Sequence, residues 1–275
     1  VKNQTFYLPE KNDIKNKRFK YLPIGNHDIP NYHIYTFKNC FIKSGKNCIF
    51  NKEGRKITGI NFQELTHEFS VIWRLNKINV EKIEGVILVL GLGGLEKNYS
   101  HAWTEFVARA YATKIAKLDY DFVLIDVESA LTKEILKFID IPDNKFIVSS
   151  NFKYIYPEKI IYPELINNFN EHYLNGFVVY QRKFLPSWLV PCYEDVSNRV
   201  TSKILHSSPK KLYVSRRNKK VRKIINEKEL ISVLEKLGFS TIYFEDYPID
   251  EQIKIACESS QIIGIHGAGL QNINF

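Results

Sequence analysis

The sequence predicts an α/β protein of two Rossmann-like lobes facing a cleft, preceded by a β-rich segment. Three observations point there. An apolar strand pattern at residues 86–92 runs straight into Gly93 and Gly94, strand and helix patterns then alternate, and the alternation restarts after a proline-bearing stretch at residues 184–209. Alternation of this kind marks a parallel sheet with helices on its faces.

Residues 32–43 and 47–61 alternate as strands do. The turn-like stretches Ser44-Gly45-Lys46-Asn47 and Glu53-Gly54-Arg55 break them, which reads as a small meander. A first lobe is expected over residues 1–185, β-rich to residue 80 and Rossmann-like from residue 81. Within it, residues 86–92 form a strand, 99–118 a helix, 122–125 a strand delivering Asp126, 131–138 a helix, and 146–148 and 176–180 strands. A second lobe is expected over residues 186–275. A crossing helix at 192–205 leads into a strand at 212–215, a helix at 227–237 closed by Gly238, a strand at 241–244, a helix at 250–259 and a strand at 262–265. Three strands make a small lobe, so this one is read as incomplete.

Composition narrows the function classes. With 44% hydrophobic residues the chain can bury a real core, yet its longest apolar run is far shorter than the roughly 20 residues of a membrane-spanning helix. The first residues are charged and hold no apolar block, so no signal peptide is expected there. Cys40, Cys48, Cys192 and Cys257 share no CxxC spacing and read as reduced thiols of a cytoplasmic protein, although Cys40 and Cys48 flank a turn that a bridge could span. The net charge of +9 suits an anionic substrate, nucleic acid or peripheral contact with an acidic membrane surface. A basic nucleic-acid-binding protein is one alternative reading, though no helix-turn-helix, zinc or RNP pattern supports it, and a non-catalytic glycan-binding member of the same fold is the other.

The chemistry-bearing residues gather where strands end. Ser215, Arg216 and Arg217, with Arg222 in the same loop, follow a strand. In open α/β sheets ligands lie beyond the carboxyl ends, and guanidinium forks match phosphate oxygens, so a diphosphate is the expected guest. A solvated basic loop is the plain alternative. His266, Gly267, Ala268 and Gly269 form a tight loop after another strand, where backbone N–H groups can approach an anion; a histidine that merely shapes this loop is the alternative there. Glu245, at the same edge, is placed to meet ribose hydroxyls or to stand as a surface carboxylate. Asn226 and Glu227 open the next helix, Asn226 as N-cap and Glu227 at the positive helix end.

His101 starts a helix after the glycines at residues 91–94, with Glu105 four residues on, placed to orient an imidazole general base. A helix-start histidine packed on Trp103 is the alternative. Asp119-Tyr120-Asp121 has the form of a metal-binding pair but precedes its strand and reads as a turn; Asp126 and Glu128 are better placed for an ion. No Gly-x-x-x-x-Gly-Lys-Ser/Thr, Gly-x-Ser-x-Gly or His-Glu-x-x-His motif occurs.

Tyr213-Val214-Ser215-Arg216-Arg217, then Arg222, Asn226-Glu227, Glu251-Gln252-Ile253 and Gly264-Ile265-His266-Gly267-Ala268-Gly269-Leu270 with Asn272 resemble, in order and spacing, the family 61 glycosyltransferases, which include bacterial capsule and surface-polysaccharide enzymes. Asn98-Tyr99-Ser100-His101, with Glu105 and Arg109, is similar to the family's first-lobe helix. Gln271 stands where the family usually carries Thr. The resemblance implies a GT-B fold, an inverting mechanism, a nucleotide-sugar donor held mainly by the second lobe without a metal or cofactor, and a saccharide acceptor. His101, Glu105 and Asp126 are the catalytic candidates. Ser215, Arg216, Arg217, Arg222, Asn226, Glu245, His266, Gly267, Ala268, Gly269 and Asn272 are the donor-binding candidates.

Overall fold

The computed structural model describes residues 5–6, 27–28, 32–43, 48–57, 80–91, 97–152, 154–165, 172–174, 177–179, 186–201, 210–216 and 224–275. Two short strands, β1 (Thr5–Phe6) and β2 (His27–Asp28), pair with each other. The chain continues through β3 (Ile34–Lys38), β4 (Cys40–Lys43), β5 (Cys48–Asn51) and β6 (Val80–Val89). A continuous helical run follows: α1 (Tyr99–His101), a π-helical stretch Ala102–Val107, and α2 (Ala108–Ile115). Then come β7 (Phe122–Ile125), α3 (Ala130–Lys137), β8 (Phe146–Val148), β9 (Tyr154–Pro163) and a hairpin of β10 (His172–Leu174) and β11 (Phe177–Val179). The last part holds α4 (Val190–Thr201), β12 (Lys210–Val214), α5 (Glu227–Lys236), β13 (Phe239–Ile242), α6 (Ile249–Cys257), β14 (Ser259–Gly264) and a 3₁₀ segment Ala268–Asn274.

A seven-stranded mixed sheet and a three-stranded parallel sheet organise these elements. In the first, β9, β6, β7 and β8 lie side by side and parallel, while β3 and β4 pair antiparallel with β9 and β5 with β4. The strands expected to form an N-terminal meander therefore extend the main sheet. The second sheet has the order β13-β12-β14.

Strand alternation divides the core. Leu88 and Leu90 pack with Trp103, Phe106, Val107 and Leu136 on the helix-covered face, whereas Ile87 and Val89 pack with Ile42, Ile49, Leu124 and Ile155 on the other. The first cluster extends to helices of the last part of the chain. It takes in Cys192, Tyr193 and Val196 of α4 and Ile249 and Ile253 of α6, and Phe275 stands edge-on to Trp103 with ring centroids 4.8 Å apart. Burial pushes the Cys192 thiol up to about 12, so it behaves as a small hydrophobe.

Two sequence expectations need correction. The central strand β9 was not foreseen, because Pro157 and Glu158-Lys159 interrupt its pattern and an internal proline argues against a strand. The structure accommodates Pro157 opposite Ile83, where the β6 register shifts through a bulge before Val86. The strand near residues 176–180 belongs to the separate β10–β11 hairpin and not to the parallel sheet. All four cysteines are free thiols; the hairpin register sets Cys40 opposite Asn51 and Lys43 opposite Cys48, so the two cysteines do not face each other. Residues 44–47 lie outside the described residues. Among the described residues no helix is long and apolar enough to cross a membrane.

The bulge in β6 explains the Asp-x-Asp sequence. Asp121 accepts a hydrogen bond from the Val86 N–H at 2.7 Å, and Gly85 beside it has φ +123°. A Cβ on Gly85 would lie 2.6 Å from Asp121 Oδ2. Gly85→Ala is expected to cost about 1–3 kcal/mol of stability through a backbone region nearly restricted to glycine. Urea denaturation checks this: an unchanged midpoint would show that the bulge relaxes.

Candidate active site

In each sheet the strand order reverses at one point, and the chain leaving the two adjacent strands diverges there. Ligand crevices of open α/β sheets form at such points, beyond the carboxyl ends. The reversal lies between β6 and β9 in the first sheet and between β12 and β14 in the second.

At the second reversal, β12 delivers Ser215 and Arg216 while β14 delivers residues 265–267. The Arg216 guanidinium donates through Nη1 to the His266 carbonyl at 2.7 Å. It lies so close to Gly267 that a Cβ there would stand 2.7 Å from Nη1, so a larger residue would make the arginine side chain shift. Among the described residues this is the one hydrogen bond of the Arg216 side chain. His266 and Ala268 are exposed, and Gly267 and Gly269 are half-buried. Glu245 is exposed in the turn Phe244–Asp246 that follows β13. Arg217 and Arg222 lie outside the described residues.

Neighbouring candidates sit differently from expectation. Ser215 is buried, and its hydroxyl donates to Glu227 Oε1 at 2.8 Å; Tyr213 donates to the same oxygen at 2.7 Å. Burial first, then the bond to Glu227, holds the Tyr213 hydroxyl well above its ordinary pKa. Glu227 thus ties the start of α5 to the end of β12, a role beyond helix-dipole stabilisation. Asn226 stands at the N-cap position, but its side chain makes no capping bond and its amide donates to Glu229 at 3.1 Å. Asn272, expected at the donor, is wholly buried. Its Oδ1 accepts from the Tyr99 hydroxyl, and its Nδ2 donates to Gln252 Oε1 at 3.3 Å.

On the other side Asn98 caps the His101 helix, its Oδ1 accepting from the N–H groups of Ser100 at 3.0 Å and His101 at 3.3 Å. His101 is half-buried, with Nδ1 sealed from solvent. Glu105 is buried within the π-helical stretch, where its charge is felt by Tyr32, Tyr162 and Tyr193. Asp126 is buried at the end of β7 and accepts from the Ser149 hydroxyl at 2.9 Å. Glu128 is exposed and paired with Lys133 at 2.5 Å. Among the described residues no three His, Cys, Asp or Glu side chains converge as metal ligands.

Two features had no role in the sequence reading. At the first reversal, wholly buried Arg109 donates to Pro163 O at 3.0 Å, Leu90 O at 2.9 Å and Val89 O at 2.9 Å, stitching β6 to β9. Nearby, Glu164 Oε1 accepts from the His33 N–H at 2.6 Å and meets His33 Nδ1 at 3.2 Å, while burial raises the Glu164 pKa. The other feature is the contact of the His101 helix with the end of the chain. Besides the Tyr99–Asn272 bond, the Ser100 hydroxyl donates to Gln271 Oε1 at 3.1 Å. The sequence held these residues within quoted motifs, but nothing in it paired them across the molecule.

The family model described as Glycosyltransferase 61 matches residues 99–275, which span the His101 helix, the Arg216 loop and the glycine loop. No curated protein matches the chain.

Proposed function

The chain belongs to glycosyltransferase family 61 and is a glycosyltransferase, and from that premise we propose that it transfers a sugar from a nucleotide-sugar donor to a saccharide acceptor with inversion. The donor diphosphate binds at the reversal of the second sheet and the acceptor meets it from the side of the first, as in a GT-B arrangement. The observation that carries this reading is Arg216 seated on Gly267 at the strand reversal, beside a loop whose continuation touches the His101 helix.

The chemistry is a single in-line displacement. His101 takes the proton of an acceptor hydroxyl, the oxygen bonds to the anomeric carbon, and the bond from that carbon to the diphosphate oxygen breaks. Glu105 and Asp126 act on the same side, setting the field around the base. Negative charge growing on the leaving nucleoside diphosphate is met by Arg216, Arg217, Arg222 and the N–H groups of residues 266–269, groups held in place before reaction. Glu245 stands on the ribose side. The arginines supply what a divalent ion supplies elsewhere, so the reaction runs without metal or other cofactor. The resemblance favours a capsule or surface-polysaccharide acceptor, and the +9 charge favours work in the cytoplasm close to an acidic membrane surface.

A thermal-shift screen of nucleoside diphosphates and nucleotide sugars, with and without EDTA, tests the reading, because a ligand of the folded state raises its melting temperature. At least one nucleotide is expected to raise it, and turnover with the matching donor is expected to survive the chelator. Turnover lost in EDTA and restored by manganese would overturn the metal-free mechanism. Steeply salt-dependent oligonucleotide binding with no nucleotide response would favour a nucleic-acid partner instead.

A further inference from the structure

The two candidate sites are joined by a chain of hydrogen bonds whose middle link is buried. Gln252 of α6 donates through Nε2 to the Tyr247 carbonyl at 2.9 Å, directly after the turn that carries Glu245. Asn272 donates to Gln252 Oε1 at 3.3 Å, and Tyr99 donates to Asn272 Oδ1. Tyr99 is two residues from His101 in the helix that Asn98 caps. Asn272 lies in the same 3₁₀ segment, Ala268–Asn274, as the end of the glycine loop. The loop itself rests on β12 and on the turn after β13: a Cβ on Gly269 would stand 3.2 Å from Val214 and 3.7 Å from Phe244.

Apolar contact alone would hold these units together, and Trp103, Tyr193 and Phe275 already supply it. A buried amide whose two ends are taken by different elements adds something else, because each bond has a direction and the network is satisfied in one register only. Burial keeps the Tyr99 hydroxyl protonated far above its ordinary pKa, so it remains a donor at every working pH.

We infer that Tyr99, Asn272 and Gln252 form a positioning relay through which a nucleotide in the second-sheet crevice sets the placement of His101. The inference rests on the donor reading above. A diphosphate at residues 266–269 pulls on the 3₁₀ segment; Asn272 carries the displacement to Tyr99, and the capped turn holding His101 moves with it. A base misplaced by a fraction of an ångström loses much of its effect, so the relay lets the enzyme assemble its base only over a bound donor.

The experiment follows the His101 ring by NMR in protein labelled with ¹⁵N-histidine, its signal among the seven histidines assigned with His101→Gln. ADP, GDP, UDP, CDP and CMP are the probes, and the one that raises the melting temperature most is carried forward. In the wild type, saturation is expected to move the His101 signal. In Tyr99→Phe and Asn272→Asp the nucleotide is expected to bind with unchanged affinity while the signal stays nearly still and turnover falls about 10- to 100-fold. No movement in the wild type overturns the inference without any variant. Movement of wild-type size in both variants, or a lowered melting temperature with unchanged turnover, overturns it too and leaves the joint purely structural. If none of the five nucleotides binds the wild type, the donor reading itself fails, a result separate from failure of the relay.

Discussion

Replacing His101 with alanine is expected to lower turnover about 10²–10⁴-fold, the usual contribution of a general base, while nucleoside diphosphate affinity stays near wild type. The expectation follows from placement. Asn98 caps the turn that carries His101, and the half-buried ring has its Nδ1 sealed from solvent. The π-helical stretch that begins at Ala102 interrupts the α-helical ladder immediately after His101, and such single-turn interruptions are frequent at functional sites. The acidic limb of the pH–rate profile should vanish in the variant, since an imidazole is the side chain that titrates nearest neutrality. Steady-state kinetics and calorimetry check the two halves. A persistent limb would hand proton transfer to another group, and weakened nucleotide binding with normal turnover would make His101 structural.

Arg109→Met is expected to destabilise the protein by about 3–5 kcal/mol, a large part of an ordinary domain's margin. The guanidinium is wholly buried and satisfies three carbonyls where β6 and β9 end, and it lies over the Tyr162 ring at 5.3 Å. Methionine fills the volume but orphans three acceptors. It also removes the cation whose charge offsets those of Glu105 and Glu164 around half-buried Tyr32. Arg109→Lys is expected to recover little, because a point ammonium cannot span carbonyls that a planar fork reaches together. Urea denaturation measures both variants; a loss below about 1 kcal/mol for Arg109→Met would mean that the reversal point closes without its arginine.

Much of the fold was legible wherever one local rule governs the residues. Phe122–Ile125 and Phe146–Val148 match their predicted spans because short apolar runs between breakers have few other solutions. β9 was hidden because its proline is tolerated through a bulge in a different strand, seventy residues away in sequence, and no window contains both. The site divides in the same way. Arg216 and Gly267 were recognisable singly, since charge and glycine content are properties of one segment, but their close packing was not. The sequence points Asn272 to the donor because it closes the segment that opens with the glycine loop. Only the three-dimensional structure turns its amide away from the crevice, toward Tyr99 and Gln252. Arg109 was visible as a residue of the first-lobe helix, whereas the three carbonyls that give it work come from strands flanking that helix on both sides in the sequence.

The most direct test of the account is calorimetric titration of the nucleoside diphosphate into the wild type and Arg216→Ala. Loss of charge-assisted hydrogen bonds to the diphosphate is expected to weaken binding by about 1.5–3 kcal/mol. The melting temperature of the free protein should change little, since the arginine makes one exposed bond among the described residues, to the His266 carbonyl. Affinity equal to wild type in Arg216→Ala would contradict the account, because the diphosphate would then bind somewhere other than the strand reversal of the second sheet.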